Sequence, residues 1–256
     1  AGGRQRHAAR ADRAQATGGA DRRRRWLCPQ WPAAAERLAN AFWPGPLTLV
    51  LPKAHHVPEL VTADNPTVAI RMPNNPLSLS LIRSLPFPLA APSANPFGYI
   101  SPTRPEHVTA QLGEKIPYIL DGGPCEVGLE STIVGMEGEE IVVYRLGGLE
   151  ISEIENLVGP VKIKDHSSSN PQAPGLLESH YAPRKPFVLG NLKELIAKSR
   201  EEKVDFAVLS FSEFFPELES ESQIALSKNQ NMHEAAKNLF AAMRKLDESS
   251  ASIILA

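Results

Sequence analysis

The run over residues 88–105, Pro-Leu-Ala-Ala-Pro-Ser-Ala-Asn-Pro-Phe-Gly-Tyr-Ile-Ser-Pro-Thr-Arg-Pro, constrains the chain more than any other stretch. Its apolar start predicts a short buried strand. Everything after that is small, hydroxylated or fixed by proline, so donors are presented from a stiff turn. Ser93, Asn95 and Ser101 supply hydroxyl and amide groups without net charge, while Pro92, Pro96 and Pro102 reduce the conformations that binding has to freeze. The run reads equally as a polar-ligand loop or as an ordinary strand-to-helix connection. Thr103, ahead of Arg104-Pro105-Glu106, predicts a capping box, so Thr103 is read as a cap rather than a ligand.

Strands and helices are legible on both sides of this run. Good helix formers and a Leu38/Phe42 pair predict a helix over 32–42, followed by a Pro44-Gly45-Pro46 turn and a strand over 47–51. The Lys53, His55 and His56 cluster reads as exposed loop more than as a phosphate contact. A β-branched strand over 67–71 ends in Arg71, whose planar fork suits a carboxylate or phosphate, and binding groups in open α/β sheets gather at strand ends. Residues 75–85 predict a helix and 116–121 another strand, closed by Gly122-Gly123-Pro124. Ser131 leads into a strand over 130–134, either to orient a small substrate or to stabilise the turn. Residues 141–144 form its partner and hand over to Arg145-Leu146-Gly147-Gly148, a second strand ending in arginine; a short helix follows over 150–158.

Residues 161–186 have linker composition, yet Ser179-His180-Tyr181-Ala182-Pro183 puts an imidazole and a phenol in it, as a base-stacking or phosphate-facing lid would. From 187 onward the pattern is strand (187–189), helix (192–203), strand (205–209), polar loop, helix (233–246) and strand (252–255), which argues for a small doubly wound α/β domain. No glycine-rich nucleotide fingerprint opens it. Ending on a strand at Ala256 predicts a truncated C-terminus.

Composition excludes several classes. Residues 1–37 hold nine Arg against Asp12, Asp21 and Glu36, whereas the remainder holds 18 basic and 26 acidic residues, so the body is acidic and its bulk charge does not mark it as a nucleic-acid binder, which leaves room for a local basic cleft. No apolar run approaches the ~18 residues of a membrane span. Cys28 and Cys125 lack metal-ligand spacing, and no secretory signal is visible, so a reducing cytoplasm is expected. Residues 1–31 are rich in Ala, Gly and Arg, hold no Lys and show no apolar periodicity. They read as a basic RNA-touching arm, an arm without function, or a segment translated out of frame, the last being preferred.

Phe42-Trp43-Pro44-Gly45-Pro46-Leu47-Thr48, Ala69-Ile70-Arg71, Ala91-Pro92-Ser93-Ala94-Asn95, Ser101-Pro102-Thr103, Ser131-Thr132-Ile133-Val134, Arg145-x-Gly147 and His180-Tyr181-Ala182-Pro183, in this order, resemble the threonylcarbamoyl-AMP synthases in their long form. The resemblance covers 32–256. It implies a twisted open mixed sheet with helices (YrdC-like, 32–160), a linker or lid (161–186) and a small Rossmann-like α/β domain (187–256). It implies a nucleotidyltransferase that makes threonylcarbamoyl-AMP and pyrophosphate from L-threonine, bicarbonate and ATP with Mg²⁺, for the tRNA threonylcarbamoyl-transfer machinery. By the same resemblance Thr67, Ser93, Asn95, Ser101, Arg145, His180 and Tyr181 serve ATP or the adenylate, and Arg71, Ala91 and Ser131 serve threonine. Arg71 and Arg145 are the expected catalytic cations, with no protein-held metal. The family's Thr-Glu-Thr-x-Tyr-Gly turn and its Lys/Arg element are not found in 1–31, which is why that segment reads as misassembled and leaves the activity of the chain as written in question. The alternatives are a double-stranded RNA or tRNA-binding module and the carbamoyl-transfer module of hydrogenase maturation.

Overall fold

In the computed structural model, residues 25–164 and 181–256 are described. They fall into two compact units: 25–91 with 131–164, and 92–130 with 181–256.

The first unit is built on a mixed five-stranded sheet. Helix α1 (Ala33–Phe42) precedes strand β1 (Leu47–Pro52), then come a short helix α2 (Glu59–Thr62), β2 (Thr67–Arg71) and helix α3 (Pro76–Ser84). After residue 130 the unit resumes with β3 (Thr132–Glu137), β4 (Glu140–Arg145), helix α5 (Ile151–Val158) and β5 (Lys162–Ile163); helix α4 (Pro105–Leu112) belongs to the other unit. Strand order is β2-β1-β3-β4-β5. β1 runs antiparallel to β2 and parallel to β3, while β4 is antiparallel to β3 and parallel to β5. Gly138, at φ +64°, makes the tight return between β3 and β4, a backbone conformation glycine adopts without a steric penalty.

Apolar alternation decides which side of this sheet is covered. Leu47, Leu49 and Leu51 of β1, with Val134 and Val143, pack against Ala35, Leu38 and Ala39 of α1 and Ile154 of α5 in one buried cluster. The small alanines of α1 let its backbone come close to the sheet, and Leu38 fills the space between them.

Residues 25–31 depart from the reading of 1–31 as an arm or an out-of-frame segment without a core. Cys28 is fully buried in the same cluster, Leu27 and Trp31 pack against it, and the Leu27 carbonyl accepts from the Ala54 amide at 2.8 Å. Tryptophan, leucine and cysteine spaced without helical or strand period join a core that other segments build, a role periodicity does not register. The rest of that expectation, residues 1–24, lies outside the described residues.

The second unit carries a four-stranded parallel sheet in the order β6-β9-β7-β8. Its elements are β6 (Phe187–Val188), α6 (Leu192–Glu201), β7 (Phe206–Ser210), a 3₁₀ turn (Ser220–Ser222), β8 (Gln223–Ala225), α7 (Met232–Asp247) and β9 (Ile253–Leu255). The doubly wound arrangement read from the sequence is therefore present. Both helices begin at an asparagine: Asn191 accepts from the Lys193 and Glu194 amides, and Asn231 from that of Glu234.

Three expectations fail in detail. The stretch predicted as a polar loop between β7 and α7 contains β8, a three-residue strand too short to show a period. It is held by Gln223, whose Oε1 accepts from the Phe215 amide at 2.9 Å and whose Nε2 donates to the carbonyls of Phe215 and Leu218 at 2.8 and 3.1 Å. Residues 116–121 form no strand; Tyr118 is 88% exposed, and the Asp121 carboxylate caps the Gly123 amide at 2.8 Å. Residues 88–91 likewise pair with no strand among the described residues, and Leu89 is exposed. A β-branched or apolar run becomes a strand only where a neighbouring edge offers hydrogen bonds, and among the described residues neither run has one.

Candidate functional site

On the first unit, four strands bring polar groups into one row. Thr48 on β1 stands opposite Arg71 on β2 and beside Ile133 on β3, and Ile133 stands opposite Arg145 on β4. At ~4.8 Å per strand, the two arginine backbones are about 14 Å apart across the sheet. Directly opposed residues of an antiparallel pair share a face, so Arg71 rises from the sheet on the side of Thr48. The Thr48 and Ser131 hydroxyls are 2.7 Å apart and both residues are buried. Arg145 turns its fork onto the same serine: Nε donates to the Ser131 carbonyl at 3.1 Å, and one terminal nitrogen donates to that carbonyl at 2.9 Å and to the hydroxyl at 3.0 Å. Ser131 is the joint between these groups.

The turn that carries Ser131 is fixed independently. The Thr132 amide donates to the Pro46 carbonyl at 2.9 Å, and the Thr132 hydroxyl both accepts from the Leu149 amide at 3.0 Å and donates to its carbonyl at 3.2 Å. Arg71, by contrast, is exposed and its side chain makes no hydrogen bond or ion pair among the described residues. A half-buried arginine tied to backbone, separated by two strands from an exposed one with its fork open, is an arrangement suited to an anion with two negatively charged ends. Thr67 stands at the other end of β2, paired with Pro52, roughly 13 Å along the strand from Arg71. Ala91 is exposed on the same unit.

Ser93, Asn95, Ser101 and Tyr181 belong to the second unit. Ser93 is exposed. Asn95 donates its amide to the carbonyls of Pro96 at 3.0 Å and Tyr99 at 2.9 Å, which leaves its Oδ1 enclosed without a hydrogen-bond partner among the described residues. Ser101 is 5% exposed and its hydroxyl donates to Glu130 at 2.5 Å. Tyr181 has φ +62°, and its ring lies 5.6 Å from that of Phe240. Ala182 bridges to Tyr99, its amide donating to the Gly98 carbonyl at 3.0 Å, so the stretch after Tyr181 is laid beside the Ser101 loop. His180 lies outside the described residues.

Thr103 is not the cap its sequence suggests. Arg104 occupies the N-cap of α4, no side chain caps that end, and the Thr103 hydroxyl is enclosed without a partner among the described residues. His107 takes the capping role in reverse: its Nδ1 accepts from the Thr103 amide at 3.2 Å. Burial first, and then the Arg244 guanidinium, hold this imidazole below its ordinary pKa. In the unfolded chain the ring binds a proton near pH 6.5, whereas the folded ring resists until a lower pH. The unfolded state therefore takes up more protons as pH falls below ~6.5, and the stability tied to neutral His107, intact above that pH, is lost toward the folded pKa. Urea midpoints measured from pH 7.5 to 5.5 should fall less in His107→Gln than in the unaltered chain; equal falls would remove His107 as the cause.

Sequence reasoning missed Thr48, Glu130, Tyr99, Arg244 and Asp247. In the sequence Thr48 is only one residue of a strand and of a turn motif. Arg244 and Asp247 sit in the last turns of a helix, where charged residues read as a solvated face, yet they are 2% and 7% exposed. Lys53, half-buried, donates to the Thr62 hydroxyl at 2.9 Å, while His55 and His56 are exposed, in keeping with their reading as loop residues. Among the described residues no group of His, Cys, Asp and Glu is arranged to hold a metal ion, and no helix is long and apolar enough to cross a membrane.

Comparison with known proteins agrees with the fold and the motifs. The Sua5/YciO/YrdC family model, described as telomere recombination, matches residues 19–147, reaching back into the segment set apart as 1–31. The model of the threonylcarbamoyl-AMP synthase C-terminal domain matches residues 149–256. Threonylcarbamoyl-AMP synthase of Pyrococcus abyssi is 37% identical over 243 residues, spanning 90% of this chain and 70% of the relative. That of Bacillus subtilis is 37% identical over 88% of this chain and 68% of its own length. The crystal structure of P. abyssi Sua5 complexed with L-threonine is similar with a TM-score of 0.82 at 38% identity, covering 90% of this chain and 70% of that one. With both halves matched by family models and full-length relatives spanned over more than two thirds, the chain belongs to the threonylcarbamoyl-AMP synthase family.

Proposed function

We propose that this chain condenses L-threonine, bicarbonate and MgATP into threonylcarbamoyl-AMP and pyrophosphate, as a nucleotidyltransferase of the cytoplasm that feeds tRNA threonylcarbamoylation. The threonine amine and bicarbonate combine, with loss of water, to a carbamate. A carbamate oxygen then attacks the α-phosphorus of ATP, and the bond to the β-phosphate breaks to release pyrophosphate. Carbamate and triphosphate repel one another, so the step needs fixed cations and donors more than it needs a strong base. Mg²⁺ enters with ATP, coordinated by phosphates and water, in keeping with its preference for substrate phosphates over all-protein cages.

The observation that carries this reading is the row Arg71, Thr48, Ser131, Arg145 across one sheet. Arg71, Ser131 and Ala91 are assigned to threonine, the ligand of the similar P. abyssi structure. Arg145, Thr67, Ser93, Asn95, Ser101, His180 and Tyr181 are assigned to the nucleotide. Asn95 Oδ1, an enclosed acceptor without a partner among the described residues, fits an exocyclic amine such as that of adenine. The test is direct: the chain is mixed with threonine, bicarbonate and MgATP, and pyrophosphate is measured with the adenylate identified by mass. Pyrophosphate that depends on both threonine and bicarbonate is the expected result; none, in a folded protein, overturns the assignment.

A further inference from the structure

The last two turns of α7 hold a buried polar knot outside the row of Arg71, Thr48, Ser131 and Arg145. Asp247 accepts three hydrogen bonds: the Tyr99 phenol donates to Oδ2 at 2.7 Å, and the amides of Arg184 and Lys185 donate to Oδ1 at 2.8 and 3.0 Å. One carboxylate thus holds the Ser101 loop, through Tyr99, and the chain that leaves Tyr181, through two backbone groups. One turn earlier, Arg244 donates to the carbonyls of Ile100 and of Ser101, the latter at 3.2 Å, and to Gln111 Oε1 at 3.1 Å. Its guanidinium lies 4.8 Å from the centre of the Tyr99 ring, with that of Arg184 at 5.0 Å. Lys185 closes the knot by donating to the carbonyls of Leu246 at 3.0 Å and Ser249 at 2.5 Å, at the C-terminal end of α7.

Burial makes this assembly demanding. Tyr99, Arg244 and Asp247 are 8%, 2% and 7% exposed, and a buried charge that loses its partners costs far more than an exposed one. If the purpose were only to fill space, apolar side chains would serve as well. What the polar groups add is geometry. Each of the hydrogen bonds to Asp247 and two of those from Arg244 end on backbone, or on a phenol, of the two segments that carry Ser101 and Tyr181.

We propose that Asp247 and Arg244 are positioning residues for the nucleotide: from the C-terminal domain they set the Ser101 loop and the Tyr181 segment at a fixed spacing. Threonine recognition, assigned to Arg71 and Ser131 on the other unit, does not depend on them. This inference rests on the proposed function, since it presumes that Ser101 and Tyr181 meet ATP.

The test compares Asp247→Ala and Asp247→Asn with the unaltered chain, measuring KM for MgATP and for threonine, kcat, and thermal unfolding. Asp247→Ala should raise KM for ATP at least tenfold while KM for threonine changes less than twofold. Asp247→Asn keeps an oxygen for the two amides and should recover most of that loss. A loss shared equally between the two substrates, or an unchanged KM for ATP in a folded Asp247→Ala protein, overturns the proposal. Should Asp247→Ala fail to fold, Tyr99→Phe removes one bond and keeps the ring, and must raise KM for ATP selectively for the proposal to stand. Absence of pyrophosphate from the unaltered chain would instead refute the assigned reaction, so the two failures are distinguishable.

Discussion

Replacing Arg145 by alanine is expected to lower kcat for pyrophosphate release by about 10²–10³-fold, the loss typical of removing one donor aimed at developing charge. The side chain does two things in the structure. It places a permanent positive charge at the end of β4, and its fork orients Ser131 through three contacts of 2.9–3.1 Å. Arg145→Lys keeps the charge but loses the Nε contact and the planar fork that grips the Ser131 carbonyl from two nitrogens, so it should recover little of the rate. Ser131→Ala, which leaves the carbonyl for Arg145 and removes the hydroxyl shared with Thr48, should raise KM for threonine more than it lowers kcat. Initial rates with each substrate varied check all three. Near-normal turnover in Arg145→Ala would mean that the row across the sheet is not where the charge is stabilised.

The largest effect on folding is expected at Gly128. Its φ is +78°, and a Cβ placed there would lie 2.3 Å from the Lys237 carbonyl oxygen and 2.5 Å from the Lys237 Cα, both backbone atoms of α7. Strain from an alanine in that conformation costs ~1–3 kcal/mol, and overpacking against a backbone that cannot move aside adds a similar amount. Gly128→Ala should therefore destabilise by roughly 2–5 kcal/mol. Gly123 is the internal comparison: φ is +79° but nothing stands within 4 Å of the added Cβ, so Gly123→Ala carries only the conformational cost of about 1 kcal/mol. Urea unfolding of both variants measures the difference; equal losses would show that close approach to α7 contributes nothing. Because Gly128 lies two residues before Glu130, the partner of Ser101, the Gly128→Ala protein should also lose affinity for ATP.

How much of this was legible beforehand differs from element to element. β1, β2, α6 and α7 have pattern enough to be read, and each is found within two residues of its expected bounds. Strands of two or three residues, such as β8, carry no period, and whether an apolar run pairs depends on an edge elsewhere in the chain. That is why 116–121 and 88–91 read as strands and are not. Thr103 shows the same limit at a helix end: the capping pattern is there, but the His107 ring reaches the amide first.

Motif order alone determined the family, because residue types at fixed spacing survive without knowledge of their neighbours. It also marks Arg71, Ser131 and Arg145 as candidate site residues without reference to any contact. Only the tertiary structure decided that Thr48 joins them, since register between strands far apart in the chain puts Thr48 against Ser131, 83 residues away. It alone turned Asp247 and Arg244 from surface charges of a helix into buried partners of a loop about 145 residues earlier. The physical reason is that a side chain's charge is written locally, whereas its desolvation and its partners are set by what packs against it.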